Sequence, residues 1–226
     1  MVAIKVIEYG PEDAAACCVL SDEAGWNQTA TDWDMMLRIG WAPGLRGEKN
    51  QPLASALALP MQGGIGWISM VLVTASKRRQ GIAQQLVGQC IDWLEARGHV
   101  PVLDATADGQ PLYASMGFTP ICGIKRLSGA GGGSMPEGLR NVNADEIGWI
   151  AALEDTTFGA GREPVLRNLL SRPGAVALAH EQNGFALSRA GRNATQIGPL
   201  VARDEASALA LLQGALARIK GPVLVD

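Results

Sequence analysis

The chain is poor in the residues that build metal sites and covalent cross-links. Its 226 residues include two histidines, His99 and His180, and four cysteines, Cys17, Cys18, Cys90 and Cys122. One cysteine pair is adjacent and none has C-x-x-C spacing, so the sequence offers neither a zinc site nor a disulfide framework, and no metal is expected. Charge of one sign is also lacking. A formal charge of −3 and a pI near 5.5 give no general attraction to nucleic acid or to an anionic membrane, and neither is expected as a partner. The first residues, Met1-Val-Ala-Ile-Lys-Val-Ile-Glu-Tyr9, break their apolar run with Lys5 and Glu8. They read as a first strand and not as a signal peptide, which makes a reducing cytoplasm the expected compartment. With 47% hydrophobic and 18% charged residues the chain is globular, with room for one large or two modest domains.

No charged residue occurs from Asn50 to Ser76, a run long enough to cross a bilayer. Its interior argues otherwise. Leu53, Ser55, Leu57 and Leu59 alternate with Ala54, Ala56 and Ala58, and Pro60-Met-Gln-Gly-Gly64 interrupts the run before Gly66-Trp-Ile-Ser-Met-Val-Leu-Val73. A period of two around a glycine turn predicts a hairpin of strands at 53–60 and 65–73.

Elsewhere, Pro11-Glu-Asp13 suits the first turn of a helix through Leu20, and Trp26 to Leu37 reads as a second helix. A strand is expected at about 39–46. Ile82, Leu86, Cys90, Trp93 and Leu94 share one helical face, closed by Arg97-Gly98. A strand at 100–106 and a short helix carrying Tyr113 follow. The order βααβββαβα predicts an α/β (α+β) fold, a mixed sheet with crossover helices. The glycine-rich stretch at 128–138 is the best domain boundary, giving a first domain at 1–128, a linker at 129–138 and a second domain at 139–226. The second half partly echoes the first: Ala217-Arg-Ile-Lys-Gly-Pro-Val-Leu-Val-Asp226 follows a strand and a helix, as Ala96-Arg-Gly-His-Val-Pro-Val-Leu-Asp104 does. The echo lacks a cationic glycine turn between strand and helix. It stops at Asp226 on an expected strand, which points to strands that are missing or supplied by another subunit, so a homodimer is among the expected states.

The cationic turn lies in Val73-Thr-Ala-Ser-Lys-Arg-Arg-Gln-Gly-Ile-Ala-Gln-Gln-Leu86. The start of a helix offers amides with no intrahelical partner and the positive end of the helix dipole, and Arg78, Arg79 and Gly81 would suit a phosphate there. Charge alone describes a solvated basic turn equally well. Neither the G-x-x-x-x-G-K-[ST] nor the G-x-G-x-x-G phosphate loop is present.

Arg78-Arg-Gln-Gly-Ile-Ala83 fits the [QR]-x-x-G-x-[GA] signature between a strand and a long helix, and Leu112-Tyr-Ala-Ser-Met-Gly-Phe118 fits L-Y-x-x-x-G-F further on. In both landmarks and their order, residues 3 to 128 resemble the GNAT superfamily of acyl-CoA-dependent N-acyltransferases, and the rest resembles the degenerate second module of tandem members. The resemblance implies a turn that cradles the pyrophosphate of acetyl-CoA through Arg78, Arg79, Gln80, Gly81, Ile82, Ala83 and Gln84. It implies a pantetheine arm lying along Met70, Val71, Leu72 and Val73, and Tyr113 as proton donor to the departing thiolate. Thr106 stands where the family often has an asparagine contacting that arm.

The family's frequent strand carboxylate is absent from Trp67-Ile-Ser-Met70. Asp104 is the candidate base, with a water chain or a structural carboxylate as alternatives. Trp26, Trp33 and Trp41 fall where the family builds its acceptor pocket, and an aromatic wall there would suit a small-molecule amine, with Asp32 and Asp34 as partners for a cation. Core packing for the tryptophans and a solvated helix face for the acids are the alternatives. The resemblance thus implies acetyl transfer to a small amine, with a protein acceptor or a non-catalytic acyl-CoA-binding module as the competing readings.

Overall fold

The structure, a computed structural model, describes residues 6–226; the part of the expected first strand at 1–5 lies outside them. It divides into two compact units, 1–122 and 123–226.

In the first unit, β1 (Ile7–Glu8), β2 (Pro43–Arg46), β3 (Pro52–Pro60), β4 (Ile65–Val73) and β5 (Val100–Leu103) form one sheet in that order. All neighbours are antiparallel except β4 and β5, which are parallel. The uncharged run is the β3–β4 hairpin, with Leu59 opposite Trp67 and Pro60 opposite Gly66. Its alternation works as expected: Leu57 and Leu59 pack against α1 (Ala14–Glu23) and α2 (Ala30–Ile39), while Ala54, Ala56 and Ala58 face α3 (Ile82–Glu95) on the other side. Helix α3 buries Ile82, Leu86, Val87, Cys90 and Leu94. Trp93 of the expected face is half-buried and stacks on Trp41, with the Arg97 guanidinium 3.8 Å from the Trp93 ring.

Helix α2 begins later than the expected Trp26, because Thr29 and Asp32 define its start. The Asp32 carboxylate accepts from the Thr29 amide at 2.8 Å and the Thr29 hydroxyl at 3.2 Å. Asp32 is accordingly buried and Asp34 is paired with Arg38, so neither acid is held out for a cationic substrate.

In the second unit, β6 (Leu127–Ala130), β7 (Leu139–Asn141), α5 (Ile147–Phe158), α6 (Glu163–Leu170), β8 (Ala177–His180), β9 (Gly184–Arg189), β10 (Thr195–Ala202), α7 (Glu205–Arg218) and β11 (Pro222–Val225) follow in sequence. The sheet order is β6-β11-β10-β9-β8-β7, with β10 and β11 parallel. Part of the glycine-rich stretch expected as a linker is therefore sheet. Strand β6 pairs with β11, and the Gly131 and Gly132 amides donate to Gly221 O and Leu216 O.

Both units repeat one irregularity. Ser55 faces Leu72 but Leu57 faces Ser69, and Ile197 faces Ser188 but Leu200 faces Ala186, so each central strand carries one extra residue. The bulge reverses the alternation of β4. Trp67 and Ser69 lie on the α1–α2 side before it, and Met70 and Leu72 lie on that same side after it.

Candidate active site

Parallel pairing of β4 with β5 ends at Ile68 and Leu103, whereas β4 runs on to Val73. Over Ser69–Val73 the strand has no sheet partner on that side among the described residues, which opens a gap beside the backbone that the extended arm of a ligand can follow. Met70, at the bulge, adopts φ +48°, and its carbonyl accepts from the buried Ser55 hydroxyl at 2.8 Å. Met70 and Leu72 point their side chains into the core, so only their backbone is placed to meet a ligand.

Beyond Val73 the chain makes a short 3-10 turn at Ala75–Lys77 and enters α3 through Arg78, Arg79, Gln80 and Gly81, all exposed. Gly81 is the residue before the helix, at φ +77° and ψ 2°, and no side chain caps the helix there. A Cβ built on Gly81 would meet nothing within 4 Å. The glycine is therefore required by its left-handed backbone and not by crowding, and no capping side chain occupies the first amides of α3. Arg79 also has positive φ, at +60°. Arg78 is held in place, its Nε donating to Val73 O at 2.9 Å.

The matching point of the second unit is closed. Asp204 precedes α7, and its carboxylate accepts from the Ser207 amide at 2.7 Å, the Ser207 hydroxyl at 3.0 Å and Asn183 Nδ2 at 2.9 Å. The Ser207 amide holds this carboxyl below its ordinary range, so an anion sits where a phosphate would have to bind. With Glu205 next to it, this helix start carries two acids, whereas the first turn of α3 carries none.

Tyr113 lies on α4 (Gln110–Ser115), nearly buried, edge-on to Phe118 at 6.1 Å. Its hydroxyl bonds no described residue, and burial pushes its phenol above the ordinary tyrosine range. Thr106 shapes the turn that launches this helix: its carbonyl accepts from the Gly109 and Gln110 amides, and its Oγ1 lies 3.2 Å from the Gly109 amide. Gly109 in turn makes room for the phenol, since a Cβ there would sit 2.8 Å from Tyr113 Cε2. Gly109→Ala should therefore displace the ring and lower turnover about fivefold. Coenzyme A affinity measured by calorimetry should stay unchanged, because Gly109 is not part of the phosphate turn.

Asp104 directly follows β5 and is exposed. The tryptophans separate. Trp33 is fully buried, with Nε1 donating to Ser21 Oγ at 3.1 Å, so it is a core residue and not a wall of an acceptor pocket. Trp41 donates to Glu8 at 3.1 Å and stacks on Trp93. Trp26 is half-buried in the loop between α1 and α2 and packs against the core cluster that holds Trp33. Among the described residues no group of three or more His, Cys, Asp or Glu is placed to hold a metal ion, and no helix is long and apolar enough to cross a membrane.

Residues 15–118 match the model of the acetyltransferase (GNAT) family, and residues 150–226 match a second acetyltransferase (GNAT) domain model. The chain belongs to the GNAT acetyltransferases. No curated protein matches it in sequence. Among solved structures, a Pyrococcus horikoshii protein classed as an acetyltransferase is similar over 100% of this chain and 80% of its own, at 20% identity and TM-score 0.76. A tandem GNAT protein from the clavulanic acid biosynthesis pathway aligns over 98% of this chain and 89% of its own, at 13% identity and TM-score 0.62. A GCN5-related glucosamine N-acetyltransferase region of a fungal multi-domain GH3 β-N-acetylglucosaminidase aligns over 98% of this chain and 35% of that protein, at 10% identity and TM-score 0.66. At these identities the likeness concerns the fold. The repeated bulge and the parallel pair in each unit make this acetyltransferase a doubled GNAT fold, and acyl transfer is the activity class of its family.

Proposed function

We propose that the first unit binds acetyl-CoA and transfers its acetyl group directly to the amine of a small molecule in the cytoplasm. The observation that carries the donor is the open, left-handed Gly81 at the start of α3, flanked by Arg78 and Arg79, where the second unit has Asp204. A pyrophosphate bound there would direct the pantetheine arm along Met70–Val73. The neutral amine attacks the thioester carbonyl, the new C–N bond forms, and the C–S bond breaks as the oxyanion collapses. Backbone amides of β4 past the bulge would stabilise that oxyanion. Tyr113 gives its proton to the departing thiolate and regains one from solvent, while the proton lost by the amine passes to Asp104 or to water. Trp26 would offer an aromatic face to the acceptor. A small acceptor is favoured by the fold's use in a protein named for glucosamine N-acetylation.

The test is thiol release from acetyl-CoA across a panel of amino sugars, polyamines, amino acids and peptides, with products read by mass spectrometry. Acetylation of a small amine is the expected result. Modification confined to peptides would replace the acceptor with a protein amine. Tight coenzyme A binding with no acetylated amine would make the protein a non-catalytic acyl-CoA binder.

A further inference from the structure

Glu23 ends α1 and reaches across to the segment that leads β4 into the cationic turn. Its Oε2 accepts from Thr74 Oγ1 at 2.6 Å, its Oε1 accepts from the Ala75 amide at 2.5 Å, and the Arg78 guanidinium lies 3.7 Å from Oε1. Arg78 is also the residue that grips the Val73 carbonyl. One carboxylate thus ties together the first residues after β4 and the first arginine of the turn. The helix that carries it is fixed to the core by Cys17 and Leu20, so Glu23 acts from a rigid base.

The ion pair itself is half-exposed, and pairs of that kind contribute little. The hydrogen bonds to the backbone amide and the hydroxyl are charge-assisted and directional, and they set the path of residues 74–78. The Thr74 hydroxyl and the Ala75 amide also hold the Glu23 carboxyl below its ordinary range, which keeps it ionised at neutral pH.

We propose that Glu23 is a positioning residue for the donor: it holds residues 74–78 so that Arg78 and the amides before α3 converge on one pyrophosphate. The inference rests on the reading of the turn as the pyrophosphate cradle. A negative charge near a phosphate site would ordinarily weaken binding, so the direction of the effect is diagnostic. If Glu23 acted mainly through its charge, removing it would tighten donor binding; if it acts through the shape of the turn, removing it weakens binding.

The experiment compares acetyl-CoA with S-acetylpantetheine, which has the thioester and the arm but no pyrophosphate, in Glu23→Ala, Glu23→Gln and the unaltered protein. Glu23→Ala should raise KM for acetyl-CoA about tenfold with kcat within about twofold, and leave KM for S-acetylpantetheine unchanged. Glu23→Gln, which keeps the shape and an accepting oxygen, should raise KM for acetyl-CoA about threefold, and it carries the test if the alanine variant unfolds. An equal loss with both donors would assign Glu23 to general stability and overturn the proposal, as would an unchanged or lowered KM for acetyl-CoA. An unaltered protein that fails to bind coenzyme A would overturn the cradle reading and this inference with it, an outcome visible before any variant is made.

Discussion

Tyr113→Phe should lower kcat for thiol release about a hundredfold while leaving KM for acetyl-CoA within about twofold. The substitution removes one oxygen from a ring that packs edge-on to Phe118, so the fold around it is kept. What is lost is a proton donor. Coenzyme A leaves as a thiolate, and a nearly buried phenol is an acid that cannot be replaced by bulk water at the same position. Burial raises the Tyr113 pKa above the ordinary 10.0, so the protonated, donating form is present throughout the neutral range and is lost only as pH rises through that raised value. The unaltered enzyme should therefore show no fall in kcat from this group across the neutral range. The phenylalanine variant should be slow across the whole profile, without a shifted limb. Thiol-release kinetics from pH 6 to 10 check both points, and a variant with unchanged kcat would remove Tyr113 from the mechanism.

Gly81→Asp should weaken coenzyme A binding by about a hundredfold or more, measured by titration calorimetry. The substitution places in the first unit the anion that Asp204 places in the second. A carboxylate at Gly81 would meet no atom within 4 Å at its Cβ, so the fold has space for it, and aspartate tolerates the left-handed backbone better than most residues. The backbone strain of about 1 kcal/mol would appear as a small loss of thermal stability. The charge would act on the ligand, because two phosphates and a carboxylate would compete for the same helix amides. Gly81→Ala separates the two effects: it carries the backbone strain without the charge and should cost about fivefold in affinity. Equal affinity in Gly81→Asp and the unaltered protein would refute the cradle.

Much of this was legible in the sequence, and the reasons differ by element. The hairpin could be read because strand alternation is a local property, visible in the leucines and alanines of residues 53–59. The face of α3 and the break at Gly98 were legible for the same reason. The left-handed glycine turn between β4 and α3 needed only a short motif between a strand and a helix. Trp33 was misread because burial depends on what packs over a residue, and the Ser21 hydroxyl that satisfies its indole lies twelve positions away. Asp32 and Asp34 looked available because a capping carboxylate and a surface acid have the same local sequence. The strand β6 was hidden in a glycine-rich stretch, since its pairing partner lies near the other end of the unit. Glu23 carried no signal, being one of several acids on exposed helix positions whose partners come from fifty residues further on.

The extra residue in β4 has a practical consequence for anyone who edits this strand. A saturation scan along Ile65–Val73 should show one unbroken alternation of tolerance, with Gly66, Ile68, Met70 and Leu72 the sensitive positions, although the buried side faces α3 before the slip and α1 and α2 after it. A side chain meant to face α1 and α2 belongs at 67 or 69 before the slip and at 70 or 72 after it. A side chain grafted at 71 or 73 would meet α3 instead, and deleting one residue at the bulge would straighten the strand and remove the left-handed turn at Met70 while leaving Leu72 opposite Ser55.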